Sequence, residues 1–154
     1  MRIVIVAVGK LKDSAAADLL ARYEQRLQKG ISLAWLEVPA AAGKSDPRRA
    51  LALEAERIRE RIPKGAYVVA LSERGRELDS KGFAAWLGRL SNQGRDLCFL
   101  IGGAPGLHAT LLGEAAEVVS LSRLTFPHEL ARPILAEQLY RAFSILRGEP
   151  YHRE

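Results

Sequence analysis

Short, almost continuously apolar runs alternate along this chain with longer amphipathic segments, and few folds accept that order. The runs are Arg2 to Val8, Ile31 to Val38, Tyr67 to Leu71, Asp96 to Ile101 and Val118 to Leu121. Each has the length and the β-branched or aromatic content of a strand. A strand that is apolar at nearly every position is covered on both faces, the condition of a parallel sheet with helices on either side. The expectation is an α/β fold, a mainly parallel sheet flanked by helices. At 154 residues the length predicts a single domain over residues 1–154, large enough to bury a real core. The sequence shows no repeat, low-complexity stretch or linker.

The segments between the runs carry helix signals. Asp13 or Ser14 can cap a helix through Leu19, Leu20, Tyr23 and Leu27 that stops near Gly30. Asp46 and Pro47 supply a cap and a first-turn proline for a helix to Ile62. On it, Glu54 and Arg57, and Glu56 and Arg59, stand at mutually supporting spacings, as a solvated face would have them. Pro39 to Ser45 reads as a small-residue loop. Asp79 or Ser80 opens a helix through Phe83, Trp86, Leu87 and Leu90, a fourth covers Leu107 to Ala116, and the last runs from His128 to about Arg147. Pro133 falls early in that last helix, where a missing amide or a slight kink is tolerable.

Charge and cysteine content limit the function classes. A net charge of +5 favours a polyanionic partner without proving one. The only cysteine, Cys98, lies inside the run Leu97 to Ile101, so it can form no intrachain disulfide and reads as a small buried hydrophobe. The apolar N-terminal run is too short for a membrane span and lacks a small-residue cleavage site, which makes the cytoplasm the expected location. His108, His128 and His152 lack the short spacings of a metal site. Neither G-x-G-x-x-G nor a Gly-Lys-Ser/Thr phosphate loop is present, and no nucleophile elbow.

In sheets of this kind ligands sit beyond the carboxyl ends of the strands. That directs attention to the loops after Leu71, after Ile101 and after Leu121. The turn Gly102-Gly103-Ala104-Pro105-Gly106 lets backbone approach a ligand closely, or it is simply a tight strand-to-helix turn. The loop Ser122-Arg123-Leu124-Thr125-Phe126-Pro127 has the apolar side chains and free main-chain groups to hold an adenine, or docks Leu124 and Phe126 into the core. In the last helix Leu135, Leu139, Ala142, Phe143 and Leu146 make one stripe, with Ile134, Tyr140 and Ile145 off it. Apolar residues on two sides imply burial on two sides, which a homodimer would provide. The polar tail Tyr151-His152-Arg153-Glu154 leaves Pro150 with an aromatic, an imidazole and a guanidinium group, a set that suits a nucleobase and its phosphate.

Taken together, the opening VAVGK, the LIGGAPG turn, the SLSRLTFPH loop, the AEQLYRAFSI helix and the terminal YHRE resemble the SPOUT class of methyltransferases. More narrowly they resemble the RlmH family, the ribosomal large-subunit (23S) pseudouridine N3-methyltransferases, over the whole chain. The resemblance implies a deep trefoil knot near the C-terminus, a rare exception to unknotted topology. It also implies a homodimer, S-adenosylmethionine as methyl donor and a ribosomal RNA substrate, with no membrane and no metal. Carried over by motif, Leu71, Gly103 and Ser122, Arg123, Leu124, Thr125, Phe126 and Pro127 would contact the donor. His128, Tyr151, His152 and Arg153 would lie toward the target base, the tail serving the partner's pocket. Pro133 and the alanine-rich loop Ala40 to Lys44 depart from the family's pattern.

The expected reaction is displacement of the sulfonium methyl by N3 of a pseudouridine, which must lose its proton near the transition state. His152 is a candidate base, with substrate positioning its alternative role, and Arg153 can stabilise the developing anion. With no added RNA-binding module, recognition is expected to need an assembled ribosome, with phosphate contacts from Lys10, Lys12, Arg74 or Arg76. Two other readings remain at this stage. One is a non-enzymatic ribosome- or RNA-binding protein of the same fold. The other is a flavodoxin-like nucleotide binder, although its phosphate loop after the first strand is missing.

Overall fold

The computed structural model describes residues 1–41 and 46–153. Part of the loop read from Pro39 to Ser45, and Glu154, lie outside the described residues. Five strands form one sheet in the order β2-β1-β4-β3-β5, every pair parallel. They are β1 (Arg2–Val8), β2 (Ser32–Val38), β3 (Tyr67–Glu77), β4 (Leu97–Ile101) and β5 (Glu117–Ser120). Between and after them come α1 (Ser14–Leu27), α2 (Pro47–Arg59), α3 (Ser80–Ser91), α4 (Ala109–Glu114) and α5 (His128–Leu146). The order is consistent with the C-terminal knot implied by the resemblance.

The period-two alternation of the strands sorts their side chains into two cores. Ile3, Ile5 and Ala7 of β1 and Leu97, Phe99 and Ile101 of β4 face α1, α3 and α5, joining Leu27, Trp86, Leu87, Leu135 and Leu139. The intervening Val4, Val6, Val8, Cys98 and Leu100 face α2 and α4, where Ala55, Ile58 and Leu111 cover them. Every one of these strand residues is essentially inaccessible to solvent, so both faces of the sheet are dry, as its continuous hydrophobicity requires.

The predicted caps form. Asp13, Asp46 and Asp79 accept from the amides of Ala16, Arg48 and Gly82, at 3.1, 2.9 and 2.7 Å, each satisfying a donor that the helix leaves open. Three features differ from expectation. The polar stretch Ser72 to Arg76 is not a turn that ends β3: the strand continues to Glu77, breaking register with β5 after Leu71 and rejoining it at Arg76, opposite Val119. Of the pairings expected along α2, Glu56 does support the charge of Arg59, after the larger effect of its hydrogen bond to Glu114, but the hydrogen bonds of these side chains leave the helix. Glu54 is buried and accepts from the Ala41 amide at 2.8 Å, Arg57 donates to the Pro39 carbonyl, and Arg59 reaches Thr110 and Glu114. Those charges bind α2 to its neighbours, and the Glu54 carboxylate satisfies the one backbone amide among them that is buried, that of Ala41. Leu146, predicted on the buried stripe of α5, is 45% exposed, since the stripe runs out at the last turn.

Candidate functional site

The register break within β3 and the carboxyl ends of β4 and β5 open on a cavity of about 440 Å³. Three stretches of chain line most of it: Leu71 to Arg74, Ile101 to Leu107, and Leu121 to His128, without Arg123 and Pro127. Local chemistry explains each. In the glycine turn, a Cβ on Gly102 would lie 2.5 Å from the Gly106 carbonyl carbon, and Gly106 sits at a φ of +83°. These two glycines let the turn close, with the Gly106 amide donating to the Gly103 carbonyl at 2.9 Å. Gly103 lines the slot with them, and a Cβ there would stand 3.3 Å from Val8, so a larger side chain would have to displace its neighbours in the wall.

The loop after β5 is held from within and from β3. Ser122 Oγ accepts from the Leu124 amide at 3.0 Å, and the Ser122 carbonyl accepts from Ser120 Oγ at 2.9 Å. Thr125 donates to Glu73, and Arg123 pairs with Glu77 at 3.2 Å. Leu124 is 72% exposed, so it does not dock into the core. It stands at the mouth of the slot, with half-buried Phe126 deeper along the same wall. The two readings of this loop are thereby separated: its apolar side chains line a cavity.

Of the residues singled out for the donor, Leu71, Gly103, Ser122, Leu124, Thr125 and Phe126 are brought together. Arg123 points to Glu77 instead, and Pro127 starts α5 at its cap position. His128 lines the slot, its Nε2 close to Gly9. Leu112 and Ala131 also line it, and nothing in the sequence pattern marked them, since both read as ordinary helix positions.

The tail lies elsewhere, against the C-terminal half of α5. Tyr151 packs edge-on to Tyr140 with ring centroids 4.6 Å apart. Its hydroxyl donates to Glu137, which also accepts from Arg141 Nη2 at 2.7 Å and from Gln138. Burial and the neighbouring Tyr23 and Glu137 push the Tyr151 phenol well above its ordinary pKa, so it stays a donor. The Glu137 carboxylate in turn raises the Arg141 guanidinium above its ordinary value. Arg141 Nη1 lies 3.0 Å from His152 Nδ1. A guanidinium can only donate, so Nδ1 accepts and the ring proton of a neutral His152 is assigned to Nε2. Arg153 is exposed. Sequence reasoning missed Glu137 and Arg141 as the tail's anchors, although their four-residue spacing on a helix was a legible signal.

Cys98 is fully buried, and desolvation pushes its thiol up to about 12, which agrees with its reading as core. Among the described residues, no three or more His, Cys, Asp or Glu side chains stand together as metal ligands. No helix there is long and apolar enough to cross a membrane.

Comparison with known proteins agrees with this geometry. The family described as "Predicted SPOUT methyltransferase" matches residues 1–152. Among its relatives, a protein of Alkalilimnicola ehrlichii named ribosomal RNA large subunit methyltransferase H is 47% identical over 99% of both chains. One of the same name from Rhizobium rhizogenes is 43% identical, again over 99% of each. Two solved structures share the fold at low identity. A probable methyltransferase of Bordetella pertussis superposes with a TM-score of 0.52 at 14% identity, covering 92% of this chain and 94% of that one. A probable methylase family protein of Haemophilus influenzae gives 0.51 at 16%, covering 95% of this chain, which spans 66% of that protein. The chain belongs to the SPOUT methyltransferase family and, within it, to the group of the ribosomal RNA large subunit methyltransferases H.

Proposed function

We propose that this chain, as a single domain and a homodimer, transfers a methyl group from S-adenosylmethionine to N3 of a pseudouridine in large-subunit ribosomal RNA, on the assembled ribosome in the cytoplasm. The observation that carries the reading is the slot of about 440 Å³ at the register break of β3 and the carboxyl ends of β4 and β5. It joins apolar walls to turns with open main-chain groups, the combination that an adenosine-bearing sulfonium needs. A donor of this size fits the volume range of small-molecule sites, roughly 300–1,000 Å³. Leu71, Gly103, Ser122, Leu124, Thr125 and Phe126 would hold it by side chain or turn, with Arg123 and Pro127 contributing backbone. Bound S-adenosylmethionine would supply an electrophilic methyl group whose transfer leaves a neutral thioether.

The chain's own part is to seat the base, hold it in line and manage the proton of N3. With Nδ1 taken by Arg141, His152 presents Nε2–H and acts as a hydrogen-bond donor that positions the base. Arg153 stabilises negative charge developing on the ring as N3 gives up its proton to solvent water, the sulfonium S–CH3 bond breaks as the N3–CH3 bond forms, and alignment supplies much of the rate. None of Tyr151, His152 and Arg153 lines the slot of its own chain. That supports a homodimer in which the tail of one copy serves the slot of the other, beside His128.

Calorimetric titration with S-adenosylmethionine tests the reading, comparing the wild type with Gly103→Leu. Saturable heat in the wild type, lost in the variant, is expected. Methyl transfer to ribosomes but not to a short free hairpin completes the test. His152→Ala should lower turnover while leaving the donor's binding heat unchanged, and its residual kcat should keep the wild-type pH profile. Loss of an acid limb in that profile would restore His152 as the base. Salt-dependent RNA binding without donor heat or transfer would instead favour a non-enzymatic ribosome-binding protein.

A further inference from the structure

The slot proposed for the donor carries little charge, and most of that charge is gathered on one wall. Apart from His128, Glu73 and Arg74 are the only ionisable residues among the described ones that line it. Both belong to the excursion of β3 between Leu71 and Arg76. The neighbouring arginines are engaged: Arg76 is held by Glu117 at 3.3 Å and Arg123 by Glu77 at 3.2 Å. Among the described residues Arg74 takes part in no ion pair. Its backbone is nevertheless fixed on both sides. The Arg74 amide donates to Ser72 Oγ at 3.3 Å, and the next residue, Gly75, crosses β5 too closely to admit a Cβ. Glu73 is held too, one carboxylate oxygen accepting from Thr125 in the loop after β5. An uncommitted cation on a fixed backbone is pre-organised for an anion, because less freedom is lost when the anion binds.

The two charges together select one part of the donor. S-adenosylmethionine joins an uncharged adenosine to a sulfonium and to a methionine end that bears an α-carboxylate and an α-ammonium. The adenosine asks for apolar faces and main-chain groups, which Leu124, Phe126 and the glycine turn offer. The zwitterionic end asks for a cation and an anion side by side. A guanidinium grips a carboxylate through two parallel N–H donors, and the second carboxylate oxygen of Glu73 can accept from an ammonium. An RNA phosphate, the partner expected for Arg74 in the sequence, would bring its negative charge up to Glu73 as well, which is unfavourable. We infer that Arg74 grips the α-carboxylate of the donor while Glu73 takes its α-ammonium, so that this wall orients the methionine end and selects for donors that possess one. The inference rests on the reading of the slot as the seat of S-adenosylmethionine.

Calorimetric titration with three probes separates this role from a structural one. They are S-adenosylmethionine, its decarboxylated form, which keeps sulfonium and ammonium, and methylthioadenosine, which has no amino-acid end. The wild type should bind S-adenosylmethionine about tenfold more tightly than the decarboxylated form, the low end for a hydrogen-bonded charge because Arg74 is exposed. Arg74→Gln should lose that preference yet bind methylthioadenosine as the wild type does, and Arg74→Lys should keep part of it. Glu73→Gln, whose amide oxygen still accepts from Thr125, should weaken both ammonium-bearing probes alike and spare methylthioadenosine. In methyl transfer to large ribosomal subunits, Arg74→Gln should raise KM for the donor about tenfold and keep kcat, since a carboxylate remote from the moving methyl is held equally before and during transfer. Arg48→Gln, the same charge removed from α2 outside the slot, should change none of these values. Equal loss of all three probes in Arg74→Gln would overturn the inference and make the residue structural. An unchanged preference, with a shallower salt dependence of subunit binding, would return Arg74 to the RNA phosphates. A change of oligomeric state in that variant would give Arg74 to the second copy instead. Wild-type protein that binds the donor without discriminating against the decarboxylated form would sink the inference alone. A wild type that takes up no probe and transfers no methyl would sink the donor reading itself.

Discussion

Arg132 shows how one buried charge can organise a site it does not line. Its side chain is 3% exposed, and it reaches from α5 to the carbonyls of Val8 and Gly9 and to Glu37 at the end of β2. Val8 is the residue that a Cβ on Gly103 would meet, so this arginine braces the strand end behind the glycine turn of the proposed donor slot. Burial works against the charge of Glu37, but the Arg132 hydrogen bond, the Leu11 amide and the charges of Arg132 and Lys10 outweigh it and lower its pKa. Arg132→Ala should cost about 2–4 kcal/mol, the range for breaking a buried, hydrogen-bonded charge, read from urea unfolding. Donor affinity should fall with it. Cys98 makes the opposite prediction, of inertness. Its pKa is raised from 9.0 to about 12, which lowers the thiolate fraction about 1,000-fold. A thiol reagent at pH 8 should therefore label the native protein only as fast as it unfolds, and rapid labelling would contradict the burial.

Among the elements, β3 departs most from its sequence pattern and matters most to the site. Its excursion between Leu71 and Arg76 carries Gly75 across the backbone of β5, where a Cβ would lie 2.7 Å from the Val119 carbonyl carbon and 2.8 Å from that of Val118. Gly75→Ala should destabilise by about 2 kcal/mol through overpacking against main chain that cannot yield. Gly113→Ala, in α4 with nothing near its Cβ position, should be neutral or stabilise by up to about 1 kcal/mol. Denaturation of the two side by side separates a backbone crossing from a general intolerance of alanine. The strands and caps were legible because they depend on local pattern: RIVIVAV admits little but a buried strand, and Asp46 is followed by a first-turn proline, while Asp13 or Ser14 and Asp79 or Ser80 were each within one residue of the cap. The loops after Leu71, Ile101 and Leu121 were legible from the rule that ligands sit beyond strand ends, and Leu71 and Gly103 as individual contacts only through motif resemblance. The crossing at Gly75 was not legible, since a glycine amid Ser72, Glu73, Arg74 and Arg76 looks like any polar turn until β5 is seen beneath it.

For the whole molecule, the three covering helices α1, α3 and α5 share one face, and α5 lies between its two neighbours. That placement accounts for part of the second-side burial, leaving Leu130 and Leu146 exposed at 39% and 45% and Ile134, Tyr140 and Ile145 half-covered. The N-terminus of α5 is tied to the start of α1, where Glu129 accepts from the amides of Lys12 and Asp13. Those amides hold its carboxyl below the ordinary 4.5. A carboxyl with a lowered folded pKa stabilises the fold fully above its unfolded value, and loses that contribution as pH falls through the folded one. Glu129→Gln should therefore be less stable than wild type near pH 7, and the gap should close as pH falls below 4.5. Urea midpoints across that range check the sign.

The slot proposed for the donor draws its walls from residues 71 to 74 and 101 to 107 and from most of 121 to 128. During synthesis no part of it can recruit a cofactor until the last helix has begun to emerge. The donor is therefore excluded as a template for early folding. It rewards only a finished chain, by mass action on the native state, so starving a cell of donor should leave the protein's yield intact and lower only its lifetime.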